Sequence, residues 1–327
     1  MPNESIGRRQ SQYKQKTHSE LKLPSGSFNL GAPGTPLGVS AVRKILSCLL
    51  CLLLPLPHCF GLEHFVAPPS DTAEGIPFKV AHGFLIVFQG RIGSQNGLNF
   101  LLDTGTTHST VNRKLARRMR IQLSPAQVFY FDRFIPMESG VFPDVQFGPV
   151  HVTNVSMLVA DFGRLSDFAK DVDGIIGADL LSMSNFSIDF SAQKLFFTAI
   201  PSDASQAKPQ RMVMILELMV QDRPVDLLVD TGVDGVVLFE DRLRDRIPHL
   251  RTEGKFEKRM IGRRSPAKQA ILPGVQLGSR TTDLRVLFVK GPPGDVLPGI
   301  EGHWGAASFK ARRVNFNFST NKLSWQE

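Results

Sequence analysis

The chain has 327 residues, 42% hydrophobic and 21% charged, which is enough for two medium domains with their own cores and unlike a disordered chain. Its net charge of +8 invites a nucleic-acid partner, but residues 1–61 hold seven Lys/Arg against two Asp/Glu, leaving 31 against 28 for residues 62–327. A body this close to neutral, with 24 Phe but only two Trp and two Tyr, argues against nucleic acid and assigns the aromatic bulk to the core.

Residues 1–38 are polar, with Ser, Gly and Pro scattered through them. Arg43-Lys44 then precede Ile45–Leu56, an apolar run of about a dozen residues where a membrane-spanning helix needs roughly 20. A basic pair, a short apolar core and small residues after it form the layout of a secretory signal, with cleavage expected after Gly61 and Leu62 first in the mature chain. The expected location is secreted or periplasmic. The alternative is an uncleaved segment that anchors the chain to a membrane through residues 45–56. The start of translation is expected near Val39, with a cytoplasmic extension as the alternative for residues 1–38. Cys48, Cys51 and Cys59 all lie in or beside the apolar run, so the mature part would have no disulfide, thiol nucleophile or Cys-based metal site. Residues 62–75 form a short mature N-terminal segment.

From there the pattern is mainly strand. Phe84–Phe88 and Asn99–Leu102 are short runs of β-branched, aromatic and aliphatic residues bounded by Gly or polar turns, and the second leads straight into Asp103-Thr104-Gly105. A brief helix is expected over Arg113–Arg120, with Arg113, Lys114, Arg117, Arg118 and Arg120 on its solvated face. Gln127–Phe134 suits a hairpin over a cleft. Asp173-Gly-Ile-Ile-Gly-Ala178, a helical turn at Asp179–Leu181 and the strand-like Phe186–Phe197 follow. Pro201–Pro209 has linker composition.

The same landmarks then return. Val225–Val229 leads into Asp230-Thr231-Gly232, 127 residues after the first triplet. Short helices are expected at Glu240–Arg246 and Ala306–Lys310, and a strand at Leu284–Val289. Val275-Gln-Leu-Gly278 echoes Val145-Gln-Phe-Gly148. Glu301-Gly-His-Trp-Gly-Ala306 aligns with Asp173–Ala178 at an offset of 128, and Val314–Trp325 with Phe186–Phe197 at the same offset. Two copies of one unit imply two lobes related by a pseudo-two-fold axis, residues 76–200 and 209–327, joined by a linker at 201–208. The expected class is all-β with small helices.

Each copy thus ends an apolar strand in an aspartate followed by Thr and Gly. The carboxylate stands at the end of a rigid strand, Gly suits the tight turn, and Thr brings a hydroxyl that can bond backbone across an interface. One such triplet occurs by chance in roughly several per cent of chains this long. Two, each ahead of an apolar-Gly landmark by 74 and 75 residues, form a far more specific signal.

In these residues the chain resembles the aspartic peptidases, the superfamily of pepsin-like and retropepsin-like enzymes, and most closely bacterial-type proteins with two fused lobes. Leu101-Leu102-Asp103-Thr104-Gly105-Thr106 and Ile175-Ile176-Gly177 carry the resemblance in the first copy. Leu228-Val229-Asp230-Thr231-Gly232 and Trp304-Gly305 carry it in the second. It implies two homologous retropepsin-like β-barrel lobes with the active site in the cleft between them, and aspartic endopeptidase activity on peptide or protein substrates. It implies Asp103 and Asp230 as catalytic residues, with Thr104, Gly105, Thr106, Thr231 and Gly232 supporting them, and no metal or organic cofactor. A monomer would suffice, since one chain brings both aspartates. Tyr130, in the hairpin, would contact substrate; the alternative makes these aromatics core or cleft wall.

Two departures bear on catalysis. Thr106 has the hydroxyl that the family uses to support its aspartate, but the second copy has Val233. Because a hydroxyl bond favours the charged form, Asp103 is expected to be the ionised base and Asp230 the protonated acid. Glu301 and His303 stand where the first copy has Asp173 and Ile175. These departures motivate the alternative function, a catalytically impaired pseudo-peptidase that binds peptides. His108, near Asp103, is read as an exposed turn residue, and the histidines show no metal-ligand spacing. Asp234-Gly235 is read as a turn and Gly291–Gly294 as a loop.

Overall fold

A computed structural model describes residues 75–130, 133–162, 171–198, 212–220, 222–243, 247, 252–260, 263–277, 280–292 and 297–326. The apolar run 45–56, the three cysteines and the 201–208 segment lie outside them. All the described residues belong to one compact unit, Cys59–Glu327.

The first set of strands is β1 (Ile76–Ala81), β2 (Leu85–Ile92), β3 (Gln95–Leu102), β4 (Thr110–Asn112), β5 (Leu123–Tyr130), β6 (Arg133–Phe147), β7 (Val150–Ala160), β8 (Gly174–Ile176), β9 (Asn185–Asp189) and β10 (Lys194–Thr198). Two short helices interrupt it, α1 (Arg113–Arg118) and α2 (Ala178–Leu181). The second set is β11 (Ile215–Val220), β12 (Arg223–Asp230), β13 (Val236–Phe239), β14 (Thr252–Met260), β15 (Arg263–Leu277), β16 (Arg280–Val289), β17 (Gly302–Gly305), β18 (Arg313–Asn317) and β19 (Lys322–Gln326). Helix α3 (Glu240–Leu243) and a 3-10 turn at Ala306–Phe309 lie within it.

Each set closes on itself in the same way. In the first, the order β2-β3-β8-β4-β7-β6 returns to β2 through Arg91↔Gln146 and Ile92↔Val145. In the second, β11-β12-β17-β13-β16-β15 returns to β11 through Met219↔Gln276 and Val220↔Val275. Closure removes the sheet edges that would otherwise invite foreign strands. A two-stranded hairpin extends from each ring, β5–β6 and β14–β15.

The strands that carry the aspartates have neighbours on both sides and are packed on both faces, so they read as near-continuous apolar runs. Phe100 and Leu102 of β3, with Leu227 and Val229 of β12, are buried in the main core. Leu101 turns to a smaller cluster with Leu85, Ala160, Phe162 and Val172.

The two sets meet in a five-stranded antiparallel sheet, β1-β10-β9-β18-β19, in which β9 and β18 pair through Ile188↔Val314 and Phe186↔Phe316. A chain of rings runs from the first barrel into this sheet: Phe88–Phe147 at 5.8 Å, Phe147–Phe197 at 5.3 Å, Phe197–Phe186 at 5.3 Å and Phe186–Phe316 stacked at 4.6 Å. Among the described residues most of the Phe is therefore core, with Phe134 exposed on the β5–β6 hairpin.

Helix α1 is shorter than the expected Arg113–Arg120. The Asn112 side chain caps its start by accepting from Lys114 N–H at 3.1 Å, and Arg120 adopts a left-handed φ of 55°, which ends it. Lys114, Arg117, Arg118 and Arg120 are exposed, while Arg113 pairs with Glu138.

Candidate active site

The two Asp-Thr-Gly turns face each other. Asp103 N–H donates to Ile176 O at 3.0 Å, carrying the parallel β3–β8 ladder one step past the strand end. Asp230 closes β12 opposite Gly305 in the equivalent parallel pairing with β17.

Four hydrogen bonds lock the turns together. Thr104 N–H donates to Thr231 Oγ1 at 3.0 Å, and Thr231 N–H donates to Thr104 Oγ1 at 3.1 Å. Each hydroxyl then donates across to the strand of the other barrel, Thr104 Oγ1 to Val229 O at 2.8 Å and Thr231 Oγ1 to Leu102 O at 2.7 Å. Both threonines are sealed from solvent, at 1% and 2% exposure, so each hydroxyl spends its donor and an acceptor on the opposite turn.

The glycines serve closeness. Neither Gly105 nor Gly232 has a left-handed φ. A Cβ at Gly232 would lie 2.9–3.0 Å from the Asp103 carboxyl, and one at Gly105 would collide with the Asp230 carboxyl. Each glycine thus clears space for the aspartate of the other turn. Its own N–H holds the aspartate of its own turn: Gly105 N–H to Asp103 Oδ1 at 3.0 Å, and Gly232 N–H to Asp230 Oδ1 at 2.8 Å.

Burial, then the Asp230 charge beside it, pushes the Asp103 carboxyl well above the usual carboxylate range, against the pull of the Gly105 and Thr106 N–H groups. Two such carboxyls this close cannot both ionise freely. The premise of the expected assignment, a hydroxyl bond from Thr106 to Asp103, is not met. The Thr106 hydroxyl donates to His108 O at 3.3 Å rather than to Asp103, so only its backbone N–H supports the carboxylate. Val233, in the matching position, packs against the small apolar cluster of Val237, Phe239, Ala267 and Val289.

The partner that the sequence did not reveal is His303. Its Nδ1 lies 2.7 Å from Asp230 Oδ2, with the two side chains 12% and 8% exposed. Its ring meets the edge of Phe239 at 5.6 Å. The sequence marked His303 as a departure; the signal for its contact was the parallel register, which sets His303 beside Leu228, two residues before Asp230. The other departure changes nothing of substance. Glu301 Oε2 accepts from Asp226 N–H at 2.7 Å, and Asp173 Oδ2 accepts from Asn99 N–H at 3.0 Å in the first barrel.

Tyr130 lies at the end of β5, its backbone paired with Arg133; its side chain lies outside the described residues. His108 is exposed, and its Nδ1 lies 2.9 Å from Thr107 Oγ1. Among the described residues no three His, Cys, Asp or Glu side chains come together to hold a metal, and no helix is long and apolar enough to cross a membrane.

Residues 88–180, which contain Asp103 and Ile175-Ile176-Gly177, match the family described as aspartyl protease. Among solved structures, the chain is similar to a retropepsin-like aspartic protease from Rickettsia conorii, at 14% identity over 41% of this chain and 96% of that one, with a TM-score of 0.30. It is also similar to the EIAV protease complexed with the inhibitor HBY-793, at 16% identity over 30% of this chain and 86% of that one, with a TM-score of 0.22. No curated protein matches the chain.

Proposed function

We propose that the chain is an aspartic endopeptidase in which Asp103 and Asp230 activate one water against a peptide bond, in keeping with the match of residues 88–180 to the aspartyl protease family. The observation that carries the reading is the reciprocal Thr104–Thr231 lock, which brings one carboxyl from each barrel together with one glycine cleared for each. Holding a like-charged pair this close costs stability, and a surface that only bound peptides would gain nothing from it.

In this reading the dyad's shared proton starts on Asp103, whose carboxyl is raised by burial. Ionised Asp230 takes a proton from the water as its oxygen attacks the scissile carbonyl carbon. The carbonyl π pair moves to oxygen, which takes the proton of Asp103, giving a neutral gem-diol with the dyad's proton now on Asp230. Asp230 then protonates the amide nitrogen while Asp103 takes a proton from one gem-diol hydroxyl. The C–N bond breaks, and acid and amine leave the dyad as it began. Peptide or protein is the substrate class.

The test is cleavage of casein from pH 3 to 8 by the parent and by the Asp103→Asn variant. The parent is expected to cut, and the folded variant to lose at least about a thousand-fold in kcat. A folded parent that cuts nothing at any pH, or a variant that cuts as well as the parent, would overturn the reading in favour of peptide binding alone.

A further inference from the structure

The two barrels place different groups beside their aspartates. Ile175, the counterpart of His303, is an apolar side chain opposite Leu101. His303 instead reaches Oδ2 of Asp230, so the dyad carries an imidazole on one side only. We propose that His303 is a positioning residue of the dyad: it donates its Nδ1 proton to Asp230 Oδ2, keeps that carboxylate ionised and oriented, and so leaves the dyad's single proton on Asp103. The proposal rests on the peptidase reading for its consequence in turnover, but the contact itself stands on geometry alone.

The direction of the proton follows from chemistry. An ionised carboxylate only accepts, so the nitrogen facing it must carry the hydrogen. An imidazole is ordinarily the stronger base of the two, so the proton of this contact belongs to nitrogen rather than oxygen. With Gly232 N–H on Oδ1 and His303 on Oδ2, both Asp230 oxygens have a donor. Among the described residues, Asp103 has N–H donors from Gly105 and Thr106, besides the opposing carboxyl. Two donors spread over both oxygens fix the plane of the Asp230 carboxylate, which a general base needs.

The surroundings support donation. On β13 the neighbours of His303 are Val237, its ladder partner, and the Phe239 ring. The charged groups on the packed elements are Asp230 itself with Arg223 and Asp226 earlier on β12, Asp103 beyond it, Glu301 turned to Asp226 N–H, and on α3 Glu240 paired with Lys268, Asp241 accepting from Gly291 N–H, and Arg242, which lies over the Phe239 ring at 5.1 Å and donates to Leu297 O at 2.7 Å. Of these, Asp230 is the group that the imidazole bonds.

Two variants of the full chain test this. His303→Asn puts a carboxamide N–H near the place of Nδ1–H without an ionisable ring. His303→Ile installs the side chain of the first barrel and removes the donor. In pH profiles of casein cleavage, the Asn variant is expected to keep the parent's acid limb. The Ile variant is expected to raise that limb by about one to two pH units, with kcat falling and KM little changed. The same order is read without turnover from carbon-13 carboxyl shifts of labelled aspartates, assigned with Asp103→Asn and Asp230→Asn. Asp230 should ionise below Asp103 in the parent and in the Asn variant, with the gap narrowed in the Ile variant. An Ile variant whose Asp230 titrates as in the parent would overturn the proposal, whether or not the protein cuts. A parent that does not cut but shows the expected carboxyl order would sink the peptidase reading and leave the positioning role intact.

Discussion

The carboxyl of Asp103 is an ionisable group held where ionising is costly, and the cost appears in folding as well as in chemistry. Its folded pKa is raised, first by burial and then by Asp230, above the ordinary value of 3.8. The folded chain therefore holds that proton more tightly than the unfolded chain. Below the ordinary value both states are protonated and nothing is lost. As pH rises from there, the unfolded chain ionises first and folding loses stability until the raised value is passed. Asp103→Asn, with the same shape and no charge, escapes the loss. Its Tm is expected to exceed the parent's at pH 8 by a few degrees, at roughly 2–4 °C for each kcal/mol, and the gap should close toward pH 3. Melting curves that stay parallel across that range would contradict the raised value. What the sequence could announce at this scale was the pair of triplets. It could not show that the Thr106 hydroxyl turns to His108, or that His303 reaches Asp230, because both depend on side-chain directions set by the surrounding packing.

At the scale of elements, strand β8 and helix α2 support the first turn from beneath. Ala178 N–H donates to Thr106 O at 2.8 Å. Ser109 is the joint: its N–H donates to both Asp179 oxygens at 3.0 and 2.9 Å, its hydroxyl donates to Asp179 Oδ1 at 2.6 Å, and Gly177 N–H donates to that hydroxyl at 2.9 Å. Burial pushes the Asp179 carboxyl up, and the Ser109 bonds pull it back toward the charged form. Ser109→Ala strips a buried carboxylate and a buried N–H of a partner at once. It should destabilise folding by about 1–3 kcal/mol in urea unfolding. A change of only a few tenths would mean that these bonds contribute little to stability. The strands themselves were legible in the sequence, since Asn99–Leu102 and Val225–Val229 lie within strands with neighbours on both sides. The ring closures β2–β6 and β11–β15 were not legible, because they join residues more than 50 apart and leave no local pattern.

For the whole molecule, the all-β class followed from those runs, and the structure adds how the barrels are held. They share the β9–β18 pairing, the stacked Phe186 and Phe316, and the threonine lock. The C-terminal strands thus join the first barrel's sheet while Asp230 meets Asp103 at the other contact. Both carboxyls of the site come from one chain, so the proposed hydrolysis should need no second copy. The most direct check is casein cleavage by the parent, by Asp103→Asn, by Asp230→Asn and by an equimolar mixture of the two variants. The account expects the parent to cut and all three others to stay silent. A mixture that recovers activity would show a site assembled between chains, and a folded parent that never cuts would show that the paired carboxyls serve something other than hydrolysis.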